Sequence, residues 1–141
     1  MEGQATIHIS ASPEAVYALV SDVTRMGEWS PETVGATWVD GATEPAVGAK
    51  FRGTNKLGPF KWSTTPTITE CIPSKLFAFD AGGTVWRYSF TAADGGTSVT
   101  ESFKVNSTLS KLYTLPPRRN QLIRGMQQTL ERLKRAAEAA G

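Results

Sequence analysis

Apolar and polar residues alternate at the start of the chain, where Thr6 and His8 separate Ala5, Ile7 and Ile9. This two-residue period predicts a strand with one buried face, and it turns His8 away from the core. The period then lengthens. Ser12-Pro13-Glu14 has the chemistry of a helix start, with a hydroxyl N-cap, proline at the first helical position and an acid in the first turn. Val16, Leu19, Val20 and Val23 form the apolar side of that helix. Asp22 can cap a second, shorter helix carrying Met26 and Trp29, which must end before Pro31 because the residue before a proline disfavours helical geometry.

From Val34 to Asn106 the pattern is that of strands punctuated by turn residues: Asp40-Gly41, Gly58-Pro59, Pro73-Ser74, Gly82-Gly83 and Asp94-Gly95-Gly96. Four sets each read as one face of a strand: Phe51/Gly53/Asn55/Leu57, Trp62/Thr64/Pro66/Ile68, Trp86/Tyr88/Phe90 and Val99/Glu101/Phe103/Val105. Pro66 cannot donate to a ladder, so its strand is interrupted or lies at an edge there. Beyond Asn106 a loop or short helical turn carries Leu109, Leu112, Tyr113 and Leu115 as far as the break at Pro116-Pro117. From Arg118 to about Ala139, Leu122, Met126, Leu130, Leu133 and Ala137 recur at helical spacing and predict one long amphipathic helix. Gly125 within it either admits close packing or is merely tolerated.

A strand, two short helices, about six more strands and a long C-terminal helix make an α+β chain: a curved antiparallel sheet of about seven strands around the terminal helix, with a cleft between them. The 141 residues suit one domain spanning the whole chain. The longest apolar run, Ala15 to Val20, falls far short of the ~20 residues that cross a bilayer. A lone Cys71 forms no internal disulfide and no thiolate cluster, so a cytoplasmic address is the expectation. Net charge is +2, with basic residues gathered in the C-terminal helix. Those charges either solvate its outer face or attract a polyanion.

Several stretches carry a family likeness: Ile9-Ser10-Ala11-Ser12-Pro13-Glu14-Ala15-Val16-Tyr17, Ser21-Asp22, Glu28-Trp29-Ser30-Pro31 and Trp86-Arg87-Tyr88-Ser89-Phe90. Gly95-Gly96-Thr97-Ser98-Val99-Thr100-Glu101-Ser102 and Thr129-Leu130-Glu131-Arg132-Leu133-Lys134 continue it. In order and spacing the chain resembles the polyketide cyclase/dehydrase and lipid-transport family of the START-like (SRPBCC) superfamily. The resemblance implies the helix-grip fold, with an apolar cavity between sheet and long helix and catalysis in only some branches.

If the aligned strand faces look toward the long helix, the cavity is lined by Phe51, Asn55, Trp62, Ile68, Trp86, Tyr88, Phe90, Val99, Glu101 and Phe103, with Met126 and Leu130 opposite. The alternative is that these aromatics simply fill a core. Trp29, Leu112 and Tyr113 form either a cavity mouth, with Tyr113 meeting the ligand, or an ordinary cap on the core. Glu101 is the sharpest signal, because a carboxylate on an apolar strand face needs a partner. Desolvated, it becomes an acid or base for enolising a carbonyl compound, with Tyr88 polarising the oxygen. Otherwise it pairs with Arg52, Lys56 or Arg87, or twists into solvent.

A single outward histidine leaves no nucleophilic triad, no His/Cys cluster marks a metal, and the glycine pairs lack the setting of a phosphate loop, so no cofactor is expected. The favoured function is binding or transport of a small hydrophobic ligand, a lipid, isoprenoid or aromatic polyketide, without chemistry. The alternative is a cyclase/dehydrase-type enzyme using Glu101 and Tyr88 for proton transfer. A third reading, a macromolecular partner module, rests on Arg118, Arg119, Arg124, Arg132, Lys134 and Arg135 alone, so no nucleic acid is expected. The chain is taken as a monomer or homodimer without stable membrane insertion. A cavity below ~300 Å³ counts against both ligand-based readings.

Overall fold

Ser12 caps the first helix as its chemistry requires: its backbone is extended (φ −66°, ψ 154°) and its Oγ accepts a hydrogen bond from the Ala15 amide at 3.1 Å. In the computed structural model, which describes residues 2–106 and 116–140, helix α1 runs Pro13–Ser21. Asp22 then caps a 3₁₀ helix, Val23–Glu28, by accepting from the Thr24 amide and hydroxyl at 3.2 and 2.6 Å. The second short helix is therefore 3₁₀ rather than α, and it stops ahead of Pro31.

The described strands are β1 (Glu2–Ile9), β2 (Thr33–Val39), β3 (Lys50–Leu57), β4 (Phe60–Thr64), β5 (Thr67–Ile72), β6 (Leu76–Ala81), β7 (Thr84–Ala93) and β8 (Gly96–Val105). Seven follow one antiparallel path, β1-β8-β7-β6-β5-β3-β2, while β4 pairs with the later part of β3. The interruption expected at Pro66 is what separates β4 from β5: the ladder fails at Thr65 and Pro66, and both pieces lie along the same side of β3. The sheet curls into a half-barrel around the long helix α2 (Pro116–Ala140).

Helix α2 begins at Pro116, slightly earlier than its apolar stripe suggested, with Pro116 and Pro117 both in the first turn, where no amide is needed for the helical ladder. Met126, Leu130, Leu133 and Ala137 are buried as the stripe requires. Gly125 admits close packing, since a Cβ there would stand 3.3 Å from Pro31 Cγ. Two apolar clusters result. The larger joins Ile9, Val16, Val20, Phe77, Phe90 and Val99 to the later half of α2, and the smaller joins Phe103, Val105 and Met126. Cys71 is half-buried with its Sγ 2.9 Å from Tyr17 Oη. No described helix is long and apolar enough to cross a membrane.

Candidate functional site

Two tight turns set the register that builds the site. Gly82 and Gly83 join β6 to β7, and Asp94 and Gly95 join β7 to β8, all four with positive φ (62°, 95°, 49° and 75°), as two-residue type I′ hairpin loops demand. Counting back from the turns places Phe77 opposite Tyr88 and Tyr88 opposite Glu101, with Ala5 of β1 on the far side of Glu101. These neighbours share the inner face of the sheet. Cross-strand partners on one face lie close enough for side chains to meet, and Tyr88 Oη donates a hydrogen bond to Glu101 Oε2 at 2.9 Å.

Glu101 is 4% exposed. None of the expected cations reaches it: Arg87 stands on the outer face and pairs with Glu70 at 3.3 Å, while Arg52 and Lys56 are exposed on the outer face of β3. Nor does the strand twist it into solvent. Burial without a cation pushes the Glu101 carboxyl up to about 8, only partly opposed by the Tyr88 hydrogen bond, and the same desolvation raises the Tyr88 phenol well above its ordinary range. The acid is therefore protonated at neutral pH. Its Oε1 is buried and has no partner among the described residues.

Beside this pair lies a cavity of about 270 Å³ between the curled sheet and α2. Of the residues expected to line it, Phe51, Asn55, Trp62, Trp86, Tyr88, Glu101 and Met126 do so. Ile68, Phe90, Val99, Phe103 and Leu130 do not: they are at most 4% exposed and are packed into the two core clusters. Trp29, expected at the mouth or as a cap, is 3% exposed in the core with the Arg25 guanidinium 5.4 Å from its ring centre. Leu112 and Tyr113 lie outside the described residues.

The wall also includes residues that strand alternation did not single out. Phe79 escapes it because Phe77, Ala78 and Phe79 are buried in succession. On α2, Arg118, Gly125 and Thr129 join the wall beside Leu122, the first residue of the predicted apolar stripe, which is half-buried at the cavity rather than buried in the core. At the rim Arg118 clamps both oxygens of Glu32 at 2.7 and 2.9 Å. Asn55 is engaged as well, its Oδ1 accepting from Thr33 Oγ1 at 2.8 Å.

A cavity of this size falls just under the ~300 Å³ of ordinary ligand sites, which counts against both ligand-based readings in their broad form, and against sterols and diacyl lipids above all. An apolar cavity of about 150 Å³ holds one benzene ring, so the space here suits a molecule of roughly one to two rings. A wider depression of about 660 Å³ is bordered by Glu2, Glu70, Arg87, Lys104 and Arg119, charges of both signs with no buried acid among them. His8 is exposed, and its Nε2 lies 3.0 Å from the Ala93 carbonyl oxygen. Among the described residues no His/Cys/Asp/Glu group could hold a metal ion. Four of the six α2 cations are engaged within the chain: Arg118 with Glu32, Arg119 with the Glu2 carbonyl, Arg132 with that of Trp29, and Lys134 with that of His8.

Comparison with solved structures agrees with this architecture. The Polyketide_cyc-like protein Cgl2372 from Corynebacterium glutamicum is 31% identical, with a TM-score of 0.71 over 99% of this chain and 92% of its own. The AHSA1-like protein from Aeromonas hydrophila is 26% identical, with a TM-score of 0.70 over 100% and 94%. The di-domain ARO/CYC StfQ from the steffimycin biosynthetic pathway shares the fold at 13% identity and a TM-score of 0.78, over 99% of this chain and 51% of that one. No curated protein matches the sequence. The family model for polyketide cyclase/dehydrase and lipid transport matches residues 2–138. With the helix grip built and nearly the whole sequence matched, the chain belongs to the polyketide cyclase/dehydrase and lipid transport family.

Proposed function

We propose that the protein binds a small hydrophobic molecule of one to two rings carrying a carbonyl or hydroxyl oxygen, held in the cavity between the sheet and α2. One observation carries this reading: an aromatic-walled cavity with a buried, protonated carboxyl whose Oε1 has no partner among the described residues. In this reading Oε2 accepts from Tyr88 and the acid's proton sits on Oε1; an unsatisfied buried donor costs free energy, and a ligand oxygen that accepts from it removes that cost while the ring displaces water from Phe51, Trp86 and Met126. The neutral state of Glu101 favours a neutral acceptor over a cation.

Gly53 provides the test. It lies on the cavity wall, and an added Cβ would meet nothing nearer than 3.8 Å, so a larger side chain has room to enter. Gly53→Leu is expected to fill the space, remove at least tenfold of the affinity for a bicyclic ketone such as α-tetralone, and leave the melting temperature unchanged or higher, since glycine weakens a strand. Quenching of Trp62 and Trp86 fluorescence reads binding. Unchanged affinity in a folded Gly53→Leu protein would place the ligand elsewhere.

A second reading is favoured by the acidity of Glu101. An acid poised at about 8, hydrogen-bonded to a phenol, has the balance of a general acid or base near neutrality, as a cyclase/dehydrase-type proton transfer needs. Glu101→Gln separates the two readings. A carrier keeps its affinity for the ketone to within a few-fold, whereas an enzyme turning over a polyketide-like substrate loses turnover with binding intact.

A further inference from the structure

Exposed aromatic surface concentrates on one hairpin. Phe60 is 70% exposed and Trp62 37%, and the alternation of β4 puts both on the side that carries Thr64 at the cavity wall. Leu57 of β3 stands opposite Phe60, across the two-residue turn Gly58-Pro59, where Gly58 has φ 60°. The charged residues on the outer face of the same hairpin are all cations, Lys50, Arg52 and Lys56 on β3 and Lys61 on β4, with no acid from Lys50 to Thr64. Lys56 and Lys61 are directly opposed in the register. Like charges in that position destabilise a sheet, and neither has an ion-pair partner among the described residues. An anionic surface outside the molecule relieves that repulsion.

We propose that the β3–β4 hairpin docks this protein on an anionic lipid bilayer, with Phe60 entering the boundary between headgroups and acyl chains and Lys56 and Lys61 reaching the lipid phosphates. The tip favours lipid over protein. Its three apolar side chains form a narrow projection, far less than the ~800 Å² per partner of a stable protein interface, and a bilayer demands no matching shape. Lysines on flexible stems keep their ammonium groups at the phosphate plane while the aromatic beside them sinks, and tryptophan prefers that same interface. Trp62 belongs to both the tip and the cavity wall, so docking sets the cavity rim against the membrane. The docking itself does not require a bound ligand.

Vesicle co-sedimentation of the full chain tests the proposal, comparing phosphatidylcholine alone with a mixture containing about 30% phosphatidylserine. Binding to the anionic vesicles only, lost at about 0.5 M salt, is the expected result. Lys56→Gln and Lys61→Gln should each weaken it about fivefold, and Phe60→Ser about tenfold or more. All three side chains are exposed, so Phe60→Ser should melt like the parent, and Lys56→Gln and Lys61→Gln, which remove the like-charge opposition, at the same temperature or slightly higher. A blue shift of tryptophan emission on adding anionic vesicles, absent in Trp62→Phe, is the second readout. No binding to the anionic vesicles, or equal binding by the folded variants, overturns the proposal. So does retention of an acidic protein through Lys56 and Lys61 that ignores Phe60→Ser, which would assign the hairpin to a protein partner.

Discussion

Glu101→Gln is expected to stabilise the protein at pH 8 and to destabilise it near pH 4.5. In the native state burial holds the carboxyl's proton up to about pH 8, whereas the unfolded chain releases it near 4.5. Between those values the unfolded state binds fewer protons, so stability falls with rising pH by ~1.4 kcal/mol per unit. The contribution is fully present below pH 4.5 and is lost by pH 8, a cumulative change on the order of 4 kcal/mol. Glutamine keeps an oxygen for Tyr88 and never ionises, but its NH2 puts two donors at the unpartnered Oε1 position where the neutral acid has one at most, and the additional unsatisfied N–H costs about 1–2 kcal/mol at every pH. The difference between variant and parent must therefore change sign between pH 4.5 and 8. Urea unfolding at the two ends of that window measures it. A difference that does not vary with pH would falsify the assignment of Glu101 as a buried neutral acid, and would remove the donor on which the proposed ligand contact depends.

Gly96→Ala is expected to lower stability by about 3 kcal/mol, at the upper end of what overpacking costs. Gly96 is buried where β8 starts, and a Cβ there would stand 2.3 Å from the Ile9 carbonyl oxygen and 3.1 Å from Ser10 Cα. Both are backbone atoms of the paired strand β1 and its exit, so relief means opening the ladder at Ile9 and Thr97. Gly41→Ala is the control: its φ of 81° strains an alanine, yet nothing lies within 4 Å, and about 1 kcal/mol is expected. Denaturation midpoints at constant m-value give the comparison. Gly96 has no positive φ, so a loss no larger than that of the control would mean that β1 yields to the added methyl and its close approach does not make glycine necessary there.

That contrast shows how far local pattern reaches. Gly96 reads in the sequence as hairpin punctuation beside Asp94-Gly95, but its necessity comes from β1, almost ninety residues earlier in the chain. The Tyr88–Glu101 pair is the opposite case. Asp94-Gly95 is a two-residue hairpin signal, and such a turn fixes the register: Ala93 opposes Gly96, and five residues back along one strand and five forward along the other are Tyr88 and Glu101. The partner of the acid was thus legible from the turn, while charge alone directed attention to Arg52, Lys56 and Arg87. Phe79 was equally accessible through Gly82-Gly83, which sets it opposite Trp86.

By itself, the sequence determined the elements, their order, the antiparallel pairing, the break at Pro66 and the buried stripe of α2. These follow from interactions over a few residues, such as caps, turn geometry and the periods of two and 3.6. Only the tertiary structure decided which inward residues pack solidly and which surround a cavity, because that depends on where the curled sheet parts from α2. Val99 and Glu101 share a strand face two residues apart, yet one lies in a close-packed core and the other borders open space. Alternation already set Glu101 on the face opposite Arg52, Lys56 and Arg87, but only its enclosure raised its pKa, since desolvation depends on the surroundings of a group and not on its neighbours in sequence.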